Sequence, residues 1–526
     1  MSPQGSHPGG KTKPMAGVPT GKALRRSSSA AAALLVALVC FLFYLKTLAP
    51  TVLYYDPGEF PDSVVLQTQA ILLGIPHTTG YPTWVMLTHL FTYLPFGNPA
   101  YRVNLSSAAY AAATVFLVYL ICQRLTRRVA PSCVAALLFG LSRDFWSQAV
   151  IAEVYTLNTL LVALVIFLLL LWRDTRDDGH LLLACFSMGL SLTDHLTSGL
   201  LLPAGVLFVC LVDGRKLIDV RLTLKGAALF LLGLAPYLYL PIRASMDPPL
   251  NRVAPETWGS FLHLVTGVEF ADRMFVNGPT QLAGRAQQYF SDYLTHQFFY
   301  APLLLLASVG VARLLLRDRP ALAMLAFLYL GWLVWALEYD IRDGYVFYIP
   351  TYCVLSLFFA VGVATVLGGA QALTERSSSK PGGAALVCLT AAVFVLPFIG
   401  VGQRYDTVDQ SRAYMGRRTI ECVAQESRRG AAVLQHRSLL NYMTRVEGRR
   451  RDLRLIEVFG PGSWAARSDL WVERSRRYLA KGPVYILFPV VDIERSNAPS
   501  FEEAGYRLVP EGCGAYYEVV TRRSGA

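Results

Sequence analysis

Two short runs of this sequence hold residue types that can handle protons. Asp56-Pro57-Gly58-Glu59 places two carboxylates three positions apart, directly after an apolar stretch. The pair reads in two ways. Asp as N-cap, Pro at N1 and Glu at N3 form a capping-box pattern that does no more than start a helix. At a membrane boundary, the same carboxylates sit where the headgroup of a lipid-linked substrate would lie, and a carboxylate there can take a proton from an attacking hydroxyl. The readings are compatible, because a capped helix end still presents its carboxylate. The second run, Gly74-Ile75-Pro76-His77-Thr78-Thr79-Gly80-Tyr81-Pro82, is a turn constrained by Gly and Pro. His77 is either a structural histidine or a substrate contact. Tyr81, like Tyr54, Tyr55 and Trp84, is either an interfacial aromatic or a stacking surface for a ligand.

Other polar residues interrupt apolar surroundings. Glu153 lies at or just inside the membrane, where an acid is rarely idle, with Arg143 as its simplest partner. Asp194-His195 breaks an apolar run, either as a self-satisfied helix break or as a contact for an acceptor. Arg243 ends a span after Leu240-Pro241-Ile242. It is an interface anchor that snorkels, or a guanidinium fork for a phosphate. Asp340, Arg342 and Asp343 make a short charged loop whose simplest reading is solvated pairing. No metal constellation stands out. Asp56, Glu59 and Glu153 would hold a divalent ion only if the fold brought them together.

The elements that must position these residues are apolar. Hydrophobic residues make up 54% of the 526 and charged residues 16%, with a mean hydropathy of +0.40. Soluble domains carry about 25% charged residues, so this is a polytopic membrane protein with some aqueous mass. Spans are expected at about 30–49, 103–121, 130–142, 155–172, 224–242, 300–316, 320–338, 345–368 and 384–402. The stretch 180–212 supplies two short helices around the Thr193-Asp194-His195 break. That gives eleven crossings. Residues 1–29, rich in Gly, Pro and Ser and without an acid, read as a disordered cytosolic tail.

The loops at one end of these spans hold 19 Lys and Arg. The three short loops at the other end hold Arg102, Arg143 and Arg342. The basic set belongs inside. The N-terminus is then cytosolic, and both the first loop, 50–102, and the C-terminal segment are outside. The net charge of +12 therefore sets orientation, and no nucleic-acid partner is expected. Residues 403–526 lack a long apolar run. β-like stretches at Ala431–Leu434, Leu453–Val458, Val484–Pro489 and Tyr516–Val520 alternate with polar helical segments at Ser411–Ser427 and Trp464–Lys481. That alternation suggests a small α/β domain. Seven of nine cysteines lie elsewhere in the chain, with no C-x-x-C pair among the nine. Cys422 and Cys513 fall in the α/β segment, where spacing leaves a disulfide between them open.

Motifs in this order resemble a known family. The pieces are Asp56-Pro57-Gly58-Glu59, Leu73–Pro82, Leu94–Leu105, Phe139–Asn158 with Ala152-Glu153-Val154-Tyr155-Thr156-Leu157-Asn158, Gly189–His195, and Leu234–Arg243. Together they resemble the GT-C-type membrane glycosyltransferases related to the animal transmembrane protein O-mannosyltransferase, long a bacterial domain of unknown function. The likeness is good over about 50–270, weak in the later helices and nearly absent in 403–526. Family members often read His-Pro-Pro-Gly where this chain has His77-Thr78-Thr79-Gly80, and Asp194 stands where Asn or Gln is common.

The resemblance implies a GT-C fold: an all-α bundle of about eleven transmembrane helices, a catalytic first outer loop (50–102) within a 30–402 membrane domain, and a C-terminal α/β domain (403–526) outside. It implies a multi-pass protein of the bacterial cytoplasmic membrane that moves a sugar, mannose on this reading, from a polyprenyl phosphate to an outer acceptor such as protein Ser/Thr. It implies an acid of the first outer loop as base, on this chain Asp56 with Glu59 as partner or substitute; His77, Tyr81, Glu153, Asp194, His195 and Arg243 are the candidate substrate contacts. It leans metal-independent, with no cofactor besides the lipid-linked donor. Alternatives are transfer to an envelope lipid or polysaccharide, and a non-enzymatic lipid transporter or flippase. Transporters tend to show internal repeats and broken midplane helices. No repeat relates the halves of this chain, and its polar residues crowd the outer loops.

Overall fold

A computed structural model describes residues 21–54, 62–251, 255–298, 301–341, 343–377, 380–436, 439–458, 468–488, 491–513 and 516–521. Residues 1–20, Asp56, Glu59 and Arg342 lie outside that set. The first helix, α1 (Gly21–Thr47), begins inside the segment expected as a tail. It is followed by α2 (Asp62–Leu72), α3 (Pro82–Phe91), α4 (Pro99–Thr126), α5 (Val129–Gly140), α6 (Arg143–Ala149), α7 (Tyr155–Thr175), α8 (Asp178–Leu192) and, after a 3-10 turn at Leu196–Leu200, α9 (Leu201–Asp213).

Among the described residues, eight helices are long and apolar enough to cross a membrane. A bent pair, Pro279–Gln297 with Pro302–Arg317, makes a ninth span if counted as one. Val129–Gly140 and Asp178–Leu192 are apolar but only 12 and 15 residues long. Every segment expected to cross is therefore helical, while two of the eleven are too short to span alone at 1.5 Å per residue. The break between α8 and α9 falls at Thr193–His195, as the polar interruption suggested.

Water does not drive helices together in lipid, so close backbone approach has to. Helices Ala301–Arg317 and Ile349–Ser377 cross at glycines. A Cβ at Gly310 would strike the carbonyl of Phe358, and one at Gly362 the carbonyl of Leu306. Gly189 of α8 and Gly233 of helix Val220–Gly233 meet in the same way, against the carbonyls of Phe230 and Phe186.

The C-terminal segment holds a five-stranded sheet: β1 (Ala432–Gln435), β2 (Arg454–Glu457), β3 (Val484–Leu487), β4 (Tyr506–Pro510) and β5 (Tyr516–Thr521), in the order β2-β1-β3-β5-β4. The first three strands are parallel, and β5 runs antiparallel to both β3 and β4. Helices Met415–Glu426, Ser468–Leu479 and Val491–Glu503 accompany it. Helix Val401–Val408 runs across the expected boundary at 403. Cys422 and Cys513 form a disulfide with Cα atoms 5.7 Å apart.

Side chains alternate between the two faces of the sheet. Ala432, Leu434, Val484 and Ile486 point to one core with Trp471 and Phe501. Val433, Tyr485 and Leu487 point to another, shared with Val52, Tyr54, Val64, Val65 and Ala100 of the first loop region. Tyr54 donates its hydroxyl proton to the Phe488 carbonyl at the carboxyl end of β3. The first loop and the sheet thus sit at one end of the bundle on a common core.

The glycine crossings give a direct test. Gly362→Leu should lower the melting temperature of the purified protein by roughly 5 °C or more, in line with an overpacking cost of about 1–3 kcal/mol. Gly369→Leu, in the same helix but with nothing within 4 Å of its built Cβ, should melt as the parent does. Equal melting of both variants would remove the crossing from the account.

Candidate functional site

After α1 the chain runs as irregular backbone that is buried from Leu48 to Tyr54 apart from Pro50, so its polar groups need partners. Amide side chains supply them. Asn104 Nδ2 donates to the Ala49 carbonyl at 2.9 Å, and Asn98 Nδ2 to that of Pro50 at 2.8 Å. Gln67 Nε2 donates to Asn104 Oδ1 at 2.7 Å, while its Oε1 accepts from Leu53 N at 3.2 Å. This network fixes α2 and α4 against the segment that leads into the Asp56–Glu59 run.

Beyond α2, the segment 73–81 is held by a second set of bonds. The Gly74 amide returns to the Gln69 carbonyl at 2.9 Å. A side chain at Gly74 would run into the Gln69 amide and the Leu250 carbonyl. Tyr239 donates to the Gly74 carbonyl at 2.9 Å, and Tyr237 to that of Leu192 at 2.7 Å. Arg243 donates from Nε to the Leu73 carbonyl at 2.5 Å and from Nη2 to that of Leu72 at 3.1 Å. The Tyr237–Arg243 stretch therefore clamps the His77 turn and the end of α8 together. Its arginine caps the orphan carbonyls of a helix end and does not line the cavity described next. Gly80 and Tyr81 adopt left-handed backbone, φ 83° and 43°. Pro82 then opens α3 at its first turn.

These turns wall a cavity of about 670 Å³. His77, Tyr81 and His195 all line it, with Tyr155, Phe347 and Trp335. Tyr81 stacks on His195 with centroids 6.4 Å apart and donates to the Thr78 carbonyl at 2.9 Å. Tyr155 and Phe347 flank the His195 ring at 5.6 and 5.7 Å. His195 Nδ1 accepts from the Thr197 amide at 3.4 Å and faces the Thr197 hydroxyl at 2.8 Å. Burial pushes this imidazole down to about 4, so it is neutral at pH 7, and its proton belongs on Nε2.

Charged groups enter from three sides. Asp62, which follows the Asp56–Glu59 run, lines the cavity, as do Asp343 and Arg273. Burial raises the Asp343 carboxyl, while the fields of His77 and Arg273 oppose that rise. Arg273 is exposed at the rim, lies 5.8 Å over the Phe270 ring, and makes no ion pair among the described residues. Asp194 is fully buried beside His195, and neither carboxylate oxygen has a hydrogen-bond partner among the described residues. Burial raises its carboxyl strongly. Glu153 does not line the cavity, but its charge reaches the hydroxyls of Tyr81 and Tyr155. Its backbone carbonyl accepts from Trp84 Nε1 at 3.1 Å. Among the described residues no three His, Cys, Asp or Glu converge as metal ligands.

The structure thus gathers His77, Tyr81 and His195 in one cavity, with Asp194 and Glu153 close behind, and sends Arg243 to a helix end. Sequence reasoning missed Arg273 and took Asp343 for a solvated charge. Asp340 does pair, with Arg285 at 3.0 Å, but Asp343 turns into the cavity. The wall that carries Arg273 was also unforeseen. It runs from helix Trp258–Thr266 through a 3-10 turn at Val268–Arg273. Its one local signal was the Thr257–Ser260 capping box. This geometry offers a cation and carboxylates at a mouth flanked by exposed Phe275 and Val276, over an aromatic floor. Such a set suits a phosphorylated sugar carried on an apolar chain.

Residues 56–217 match the family model described as the N-terminal domain of protein O-mannosyl-transferase TMEM260. The chain is 35% identical over 214 residues to mouse protein O-mannosyl-transferase TMEM260, covering 39% of this chain and 29% of that one. It is 25% identical over 256 residues to the Dictyostelium discoideum protein of that description, covering 45% and 30%. The chain spans less than a third of the length of these relatives. Among solved structures, ArnT from Cupriavidus metallidurans bound to undecaprenyl phosphate superposes with a TM-score of 0.53 at 14% identity, over 95% of this chain and 98% of that one. The chain therefore has the fold of ArnT.

The role of Arg243 can be measured. Arg243→Gln should loosen the segment it clamps. Amide hydrogen exchange at Gly74–Tyr81 should speed up by about tenfold, as expected for loss of roughly 1–2 kcal/mol of charge-assisted bonding to carbonyls. Exchange at Gly74–Tyr81 equal to that of the parent would return Arg243 to a simple interface anchor.

Proposed function

We propose that this chain, which carries the GT-C fold and the O-mannosyl-transferase sequence pattern over 56–217, is a membrane glycosyltransferase with a polyprenyl-phosphate sugar as donor. The observation that carries the reading is the cavity itself. One cation, Arg273, and the carboxylates of Asp62 and Asp343 line a space floored by Tyr81, His195 and Phe347, next to the flank of the Asp56–Glu59 run. The sugar is mannose and the acceptor a protein Ser/Thr hydroxyl, by likeness to the named relatives. The cavity end of the bundle faces out of the cytoplasm, by the distribution of basic loops.

In this reaction the acceptor oxygen attacks the anomeric carbon, and the bond from that carbon to the phosphate oxygen breaks. The base takes the hydroxyl proton as the new bond forms. The polyprenyl phosphate leaves with the electron pair. Asp56 is the base and Glu59 its partner. The support for this is their place in the family pattern and the position of Asp62, six residues on, in the cavity wall. Arg273 meets the departing phosphate, where a fixed guanidinium gains most as charge develops. His77 and Tyr81 contact the sugar. Neutral His195 and the buried carboxyl of Asp194 hold the floor. Arg243 acts from a distance, by fixing the turn that carries His77.

Asp56→Asn keeps the shape and helix-capping power of the residue but not its basicity. Transfer from a polyprenyl-phosphate mannose should fall about 10²-fold or more, with folded yield unchanged. Near-normal transfer would leave helix capping as the account of Asp56. Arg273→Lys keeps the charge and loses the fork. Donor KM should rise and kcat fall, roughly tenfold each. If neither constant moves, the phosphate does not sit at this rim.

A further inference from the structure

A second cavity, of about 400 Å³, lies away from the first. It is walled by α7, α8, α9 and helix Val220–Gly233, with small residues Gly205, Gly226 and Ala227 leaving the room. It runs from Leu202 and Leu231 to Lys216 and Leu217, and shares no lining residue with the first cavity. Its lining is apolar apart from Lys216 and Thr223. Leu202, Val206 and Leu231 on its rim are exposed and belong to membrane-spanning helices. The opening therefore faces hydrocarbon, and its occupant must come from the bilayer.

We propose that this cavity binds one phospholipid of the bilayer, with an acyl chain inside it and the phosphate on Lys216. Two measures fit that occupant. From Leu222 to Leu231, both on its wall, the helix rises about 14 Å at 1.5 Å per residue. That is close to half of a hydrocarbon core of about 30 Å, the reach of a chain from one leaflet. Lys216 stands at the end of the cavity where the loop meets the helices. Its ammonium gives one bond to Asp178, 2.6 Å away, and an ammonium has three to give. Arg215 and Arg221 flank it in sequence, while the carboxylates of Asp178, Asp213 and Asp219 also act on it; Asp219 caps the Leu222 amide at 3.1 Å. A snorkelled lysine over an apolar slot meets a phosphodiester at the depth where the bilayer presents one.

The test is retention. The full-length protein is purified in detergent, washed extensively and examined by native mass spectrometry. One phospholipid per chain should remain on the parent. Ala227→Phe puts a ring on the cavity wall and should remove the lipid while the protein stays monodisperse. Lys216→Gln leaves the slot open and should cut retention several-fold. A parent without lipid, or an Ala227→Phe protein that keeps as much as the parent, overturns the proposal. So does a retained polyprenyl phosphate in place of a phospholipid. None of these readouts uses transfer activity, so the result stands apart from the reading of the first cavity.

Discussion

Non-helical backbone at the end of a membrane bundle has to find hydrogen-bond partners within the protein, because neither lipid nor a packed interface supplies them. The whole candidate site hangs on how this chain meets that constraint. Asn104, Gln67 and Asn98 take up the irregular segment after α1. Tyr239 and Arg243 take up the carbonyls where α2 ends. The His195 ring takes up the amide that opens the turn before α9. Each bond would be minor on a wet surface. In a buried setting, leaving any of these groups unpaired costs about 1–3 kcal/mol, which is why side chains dozens of residues apart converge on three short loops. The cavity is the space those loops leave.

Much of this was legible in the sequence. Spans show because hydrophobic runs of about 20 residues have few other uses. The α8–α9 break shows because Asp194 and His195 cannot sit inside such a run at no cost. Strands β1, β2, β3 and β5 show as short apolar bursts between turns. Strand β4 does not, since Tyr506–Pro510 carries Arg507 and ends in Pro, so its pattern resembles a loop until β5 pairs with it. The helices between 255 and 298 stay hidden for a similar reason. They are short and amphipathic, and only a tertiary surface decides that they fold.

The site residues divide along the same line. His77, Tyr81 and His195 could be singled out because their local sequence is odd. Arg273 and Asp343 could not, because each sits in an ordinary charged stretch and acquires its place through the pairing of Met274 with Tyr339. For Arg243 the chemistry was legible and the partner was not. A guanidinium fork fits two carbonyl oxygens as readily as a phosphate, and only the fold chose.

The core shared by the first loop and the sheet also orders events during synthesis. Val52, Val64 and Val65 emerge from the ribosome more than 350 residues before Val433, Tyr485 and Tyr516, which cover them. Until that late segment is made, Val64 and Val65 of α2 have only Val52, Tyr54 and Ala100 of this core to rest against. The core under α2 is therefore complete only once the chain has been translated through β5. A ribosome that stops early leaves a bundle with part of this apolar surface bare, and exposed surface of that kind makes an unfinished chain prone to aggregate.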